Sequence, residues 1–238
     1  MSKYMHKFAT VADFEEVYYS SAYTQPWLSC VVGEDGVVYN KFNTNGYEYV
    51  DLGLPSGTLW AKMNVGASNI DDPGDFFAWG EISPKSAYTF NNYKWYDEGN
   101  GCFTKYTEGD ELSFMEPEDD AARANMGGEW HMPSLAQVQE LLDNTNKRTH
   151  FDAQMNKLYT IFTSTINGKT LKFPYAPIRD DEEEEEPLNN TYVMTSNLTW
   201  EEEANYLVAD GSPNIEVNSR YLGANVRGVI GFELLELW

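Results

Sequence analysis

The chain has 238 residues, 42% hydrophobic and 15% aromatic, with 16 Tyr, 12 Phe and 7 Trp, enough to bury a full core and unlike a chain that never folds. With 38 acidic against 16 basic residues the formal charge is −22, spread over most of the length, which repels phosphate backbones and anionic lipid surfaces. Nucleic-acid binding through a broad basic face is disfavoured on that ground, and no stretch approaches the ~20 apolar residues of a membrane span, so no membrane insertion is expected.

In chain order, the first eight residues carry a little positive charge but no apolar run follows, because Asp13, Glu15 and Glu16 interrupt the next stretch. No secretory signal is read there, and synthesis as a soluble cytoplasmic chain is expected. Residues 1–46 predict a small αββ module. Thr10 and Asp13 form a near capping box, and Val11, Phe14, Val17 and Tyr18 recur at helical spacing. Two apolar runs, Trp27 to Val32 and Val37 to Tyr39, then flank Asp35-Gly36, a pair that supplies the positive φ of a tight hairpin. So small a module must pack on the rest of the chain, on copies of itself or on a partner. Cys30 in the first run reads as a small buried thiol, and Cys102 lies in a Gly-rich loop; the two form no metal or redox spacing.

From Tyr47 the texture changes to short apolar stretches punctuated by Gly, Pro, Asn and Asp, which predicts many short strands and long loops over residues 47–238. The strands fall at 47–52, 58–63, 76–79, 171–173, 192–195, 206–209 and within 220–229. One helix is predicted over 134–143, where Ser134 and Gln137 form a capping box and Leu135, Val138, Leu141 and Leu142 make one apolar face. A second, shorter helix is predicted over 117–126. The acidic run Asp180 to Glu186 reads as a solvated loop, the rival reading being a contact with a basic partner.

Within this region lie Glu48-Tyr-Val-Asp-Leu-Gly-Leu-Pro-Ser-Gly-Thr-Leu-Trp-Ala61, Asn64-Val-Gly-Ala67, Gly74-Asp-Phe-Phe-Ala-Trp-Gly-Glu81 and Gly127-Gly-Glu-Trp-His-Met-Pro133. In this order, with residues 112–122 between the last two, these motifs resemble the Fibrobacter succinogenes major paralogous domain family over residues 47–146, and more weakly over 192–229. The resemblance implies an α+β, C-type-lectin-like fold, one that carries adhesins, phage tropism proteins and formylglycine-generating enzymes alike, so fold alone selects no function. The C-terminal third departs from the family: Met194-Thr-Ser-Asn197 stands where a Trp-Ser-Ser-like strand is usual, and Val226-Arg-Gly-Val229 where a Val-Arg-Pro ending is usual. The chain also continues as the apolar stretch Ile230 to Trp238, which suggests a packing or assembly strand. Residues 7–41 resemble, less specifically, the short N-terminal modules of structural proteins of crAss-like gut phages.

Catalytic patterns are missing. His6, His131 and His150 make no metal-ligand spacing, and neither a nucleophile elbow nor a phosphate loop occurs, so no catalytic residue and no cofactor is assigned. A formylglycine-generating enzyme would need a reactive cysteine pair, which Cys30 and Cys102 do not form. His131, inside the Gly-Gly-x-Trp-x-Met-Pro turn, reads as structural. Glu116-Pro-Glu-Asp-Asp120 has the oxygen-rich spacing that suits calcium, but it equally fits a helix start with Pro at the first position and acids in the first turn. Trp60, Trp79 and Trp130 read as core. Tyr192, Asn197, Trp200 and Asn205 are the candidate ligand-binding residues, an aromatic surface beside amides of the kind that takes a sugar face.

The expectation is therefore a non-enzymatic virion structural protein, a head-fibre, decoration or fibre component displaying a lectin-like domain. Its expected partners are copies of itself in a homotrimer, other capsid or fibre proteins and a host-surface glycan. A bacterial adhesin-like module outside any virion is the alternative.

Overall fold

The computed structural model describes residues 29–32, 38–181 and 191–231, with side chains described from residue 42 onward. The helix expected near Thr10, the hairpin turn at Asp35-Gly36, most of the acidic run and the stretch after Gly231 lie outside the described residues.

In chain order the strands are β1 (Ser29–Val32), β2 (Val38–Lys41), β3 (Tyr49–Asp51), β4 (Leu59–Ala61), β5 (Phe76–Phe77), β6 (Tyr96–Asp97) and β7 (Cys102–Phe103). Two helices follow, α1 (Ala121–Met126) and α2 (Leu135–Asp143). The remaining strands are β8 (Thr145–Asp152), β9 (Lys157–Ser164), β10 (Thr170–Pro174), β11 (Tyr192–Trp200), β12 (Glu203–Val208), β13 (Asn214–Ser219), β14 (Ala224–Asn225) and β15 (Val229–Ile230). The fold is thus α+β, mostly sheet, with two α-helices among the described residues.

β1 and β2 pair antiparallel, Ser29 opposite Lys41 and Val32 opposite Val38, as the two apolar runs predict. The residues just upstream of Tyr47 belong to the packed body: Phe42 lies against the larger core, Trp130 Nε1 donates to Thr44 O (2.8 Å) and Asn45 Nδ2 donates to Met126 O (2.7 Å). Gly128 makes this join feasible, since at its φ of 61° a Cβ would stand 2.3 Å from Asn43 O, a distance no side chain tolerates. The Gly-Gly step of the 127–133 motif is therefore a site of close backbone approach.

A five-stranded sheet, ordered β13-β12-β11-β14-β5, is the centre of the molecule, and side-chain alternation along it supplies two cores. Tyr192, Met194, Ala204, Tyr206 and Val208 face one side and pack with Phe77, Trp79, Trp130 and α1. Val193, Leu207 and Ala209 face the other, against Trp60, Phe162, Leu171, Phe173 and the Val138, Leu141 and Leu142 face of α2. All three motif tryptophans, Trp60, Trp79 and Trp130, are fully buried. Two smaller sheets flank this one, β15-β4-β3, which joins the two ends of the body, and β10-β9-β8. A satellite cluster of Tyr88, Tyr93 and Phe103, with Phe90, Trp95, Tyr96 and Tyr221 around it, absorbs much of the aromatic excess.

Several expectations change in detail. Residues 117–126 are not one helix. Pro117–Asp119 is a single 3₁₀ turn, and α1 starts afresh because Asp120 takes extended backbone (φ −80°, ψ 113°) to cap it, its carboxylate accepting Arg123 N at 2.9 Å. The strand expected within 220–229 is two short ones, β14 and β15, with Arg227 between them wholly buried. The β8–β9 hairpin, with Thr145 opposite Ser164 and Asp152 opposite Lys157, has the longest register in the molecule's described part and lacks an alternating signal, since β8 is polar along most of its length.

Candidate functional site

The site is built where the central sheet outruns the helix that covers it. α2 is held at its start by the predicted capping box, Ser134 Oγ accepting Gln137 N at 3.3 Å and Gln137 Oε1 accepting Ser134 N at 2.9 Å. The next orphan amide of the first turn, Leu135 N, donates to Asn197 Oδ1 at 2.7 Å, so β11 itself fixes where the helix begins. The side of the sheet that α2 covers holds Leu207 and Ile215. Beyond the helix start, the same side continues to the β11–β12 hairpin tip, where Trp200 and Val217 are exposed and Asn205 lies buried beneath them.

Register identifies what stands on that open shelf. Trp200 pairs with Glu203 and Glu203 with Ser219, while Asn205 pairs with Val217 one step inward, and paired residues project to the same face. Trp200, Glu203, Asn205, Val217 and Ser219 therefore share one face, and Asn197 joins them through its bond to the helix start. Phe114, bridged to Asn197 from a separate segment, adds a further ring. Trp200 is 66% exposed, Val217 43% and Phe114 36%, an apolar surface bordered by polar groups. The Asn205 side chain is only 8% exposed and has no hydrogen-bond partner among the described residues; the Asn197 Nδ2 and the Glu203 carboxylate are likewise unengaged there. An aromatic platform with two free amides and a carboxylate at its margin can stack an apolar ligand face and bond its hydroxyls.

Of the four residues singled out from the sequence, Asn197, Trp200 and Asn205 are thus brought to one face. Tyr192 is not. It stands at the opposite end of β11, eight residues and therefore about 26 Å from Trp200 at strand rise, and is buried on the other side of the sheet, edge-on to Tyr206. Phe114 and Val217 were not legible from the sequence, because their proximity depends on strand pairings formed across 83 and 12 positions.

The other candidate chemistries are accounted for by packing. His131 is buried, with Nδ1 2.9 Å from Met132 O and Nε2 3.2 Å from Gly231 O, so both ring nitrogens are committed to backbone. The carboxylates of Glu116 to Asp120 are taken up by the chain's own donors: Glu116 and Asp119 share Lys105 Nζ (2.5 and 2.6 Å), Asp119 also accepts from Lys94 Nζ (3.0 Å) and Tyr106 Oη (2.7 Å), and Asp120 accepts from Arg123 N and Met132 N. Burial works to raise the Asp119 carboxyl, yet those three donors outweigh it and hold it below its ordinary value. Asp120, buried and facing mainly backbone N–H groups, is instead pushed up by desolvation. Among the described residues no cluster of three His, Cys, Asp or Glu side chains is disposed to hold a metal ion. Cys102 is exposed and free.

No family model matches the chain, and neither a curated protein nor a solved structure matches it.

Proposed function

We propose that this chain is a non-enzymatic structural protein of a bacteriophage virion, a head-fibre, decoration or fibre component, that displays a C-type-lectin-like domain and binds a host-surface glycan on the shelf beside α2. In this reading the protein is a homotrimer, residues 1–46 contribute to attachment, and the domain faces outward. The observation that carries the binding part is the open shelf itself: an exposed Trp200 beside Asn205, Asn197 and Glu203, none of whose remaining polar groups is used by the described fold. A pyranose lays its C–H face on the indole while the amides and the carboxylate take its hydroxyls, and a shallow, charged-rim surface of this kind suits a weak ligand repeated over a cell surface. The virion part is supported by the motif resemblance over residues 47–146 and by that of residues 7–41 to phage structural modules.

Two measurements test the two parts. Mass spectrometry of purified particles should find the chain as a stoichiometric component, and its absence from particles ends the virion reading. Glycan-array binding by the full chain should be lost in Trp200→Ala. A wild-type chain that binds no glycan, or a variant that binds as well, removes the shelf as the ligand surface.

A further inference from the structure

The β15-β4-β3 sheet is closed on one side and open on the other. Along β15, His131 N donates to Val229 O (3.1 Å) and Val229 N to His131 O (2.8 Å), so that edge is taken. At the other edge Lys62 N donates to Glu48 O, while Ala61 N turns away from β3 to Gly228 O. By antiparallel alternation Glu48 and Val50 therefore bond β4, and Tyr49 and Asp51 direct their N–H and C=O groups outward. Asn167 Nδ2 donates to Asp51 O at 3.0 Å; Tyr49 N–H, Tyr49 O and Asp51 N–H have no partner among the described residues.

Apolar side chains gather along that edge. Of the nine large apolar side chains exposed among the described residues, those of Tyr47, Tyr49, Ile82 and Ile166 border it. Tyr47 Oη donates to Asn125 O (3.3 Å) and Asn125 Nδ2 to Ile82 O (3.0 Å), which places Ile82 beside Tyr47. Ile166 stands at the far end, its Cγ2 3.4 Å from where a Gly53 Cβ would lie. Open backbone donors and acceptors beside apolar side chains are what an added strand needs.

The sequence supplies such a strand. Beyond Gly231 comes Phe232-Glu-Leu-Leu-Glu-Leu-Trp238, five apolar residues of seven. Seven extended residues span about 23 Å, enough to run the length of the edge. They cannot do so on their own chain. Gly231 lies against Thr58, where β3 turns into β4, and the outer side of β3 is three strand spacings from β15, about 14 Å. Crossing that distance consumes about four residues, on a path that Ile166 and Asn167 obstruct, and leaves too few to run from Asp51 to Tyr47.

We propose that the β3 edge receives residues 232–238 of a second copy of this chain as an added strand. The contact is head-to-tail, so repetition about a three-fold axis closes a ring, and it deepens the homotrimeric reading on which it rests.

The test is the mass of the full chain in solution by light scattering over a range of concentration. The wild type should have three times the 27.1 kDa chain mass. Tyr49→Pro deletes one outward N–H, and Tyr47→Lys with Tyr49→Lys leaves the backbone intact; each should give the single-chain mass, as should Leu234→Ser with Trp238→Ser. A cooperative thermal melt shows that each variant is folded. With Cys30→Ser and Cys102→Ser in both chains, oxidising a mixture of Tyr49→Cys and Leu235→Cys chains should join two chains. Assembly that survives the substitutions, the absence of a two-chain product, or a wild type that is a single chain at every concentration overturns the proposal. Surviving assembly refutes this contact and leaves the homotrimer standing, whereas a single-chain wild type removes both; detection in particles tests the virion reading separately.

Discussion

Arg227 is wholly buried and carries its charge without a carboxylate. Its guanidinium donates to Asn64 Oδ1 (2.6 Å), Ala61 O, Lys62 O (3.0 Å each) and Lys172 O (3.1 Å), and lies 4.4 Å from the Phe173 ring centre. Desolvation pushes the group down to about 9, yet four directed acceptors on two segments, 61–64 and Lys172, make it a staple between the end of β4, β10 and the C-terminal strands. Replacing it with Met strands those acceptors in the core, and chemical denaturation should record a loss of about 3 kcal/mol. Asp119→Asn removes the anion that gathers Lys94, Lys105 and Tyr106, with an expected loss of about 2 kcal/mol in the same measurement. Trp200 behaves oppositely. Being 66% exposed, it contributes little to folding, so Trp200→Ala should move stability by no more than about 0.5 kcal/mol. Its effect should fall on binding, about tenfold or more in Kd, equivalent to about 1.4 kcal/mol.

At the scale of elements, α2 is where local signal and tertiary contact meet. Its capping box was legible because Ser134 and Gln137 bond within one turn, whereas the Asn197 contact to Leu135 N joins residues 62 positions apart and has no local signature. Ser134→Ala should cost about 1 kcal/mol, read as a lower denaturation midpoint with an unchanged slope. The β8–β9 hairpin shows the opposite case. Strands 171–173 and 192–195 were readable from β-branched and aromatic residues, but Thr-Asn-Lys-Arg-Thr-His-Phe-Asp is polar, because an edge strand buries little and its pairing is decided by β9. Likewise the 117–126 segment has the composition of a helix start, and only the demand of Asp120 for extended backbone divides it.

For the whole molecule, the aromatic excess becomes a pH dependence. The phenols of Tyr93, Tyr106 and Tyr206 donate inside the fold to Trp79 O, Asp119 Oδ2 and Ser219 O, and desolvation raises all three above 10.0. Tyr88, Tyr159 and Tyr175 are raised for the same first cause. For these acids the unfolded chain releases protons first, so their stabilising contribution is intact below pH 10 and is lost as the pH rises beyond it. Arg220 and Arg227, lowered by burial, act in the other direction, but six groups oppose two. Stability should therefore fall steeply above about pH 10, with tyrosinate absorbance appearing together with loss of near-ultraviolet circular dichroism. Titration of these six phenols ahead of unfolding would contradict this.

By itself the sequence determined that the chain is strongly acidic, that Trp60, Trp79 and Trp130 are core, and that α2 is capped by Ser134. Each of these follows from composition or from groups a few positions apart, where the chain's own connectivity supplies the contact. The tertiary structure alone decided that Tyr192 is buried on one side of the central sheet while Asn197, Trp200 and Asn205 share the other. It also decided that Phe114 and Val217 join them. The physical reason is register: in a strand each side chain's face is set by which residue it opposes, and that partner lies on another segment whose distance along the chain carries no local mark.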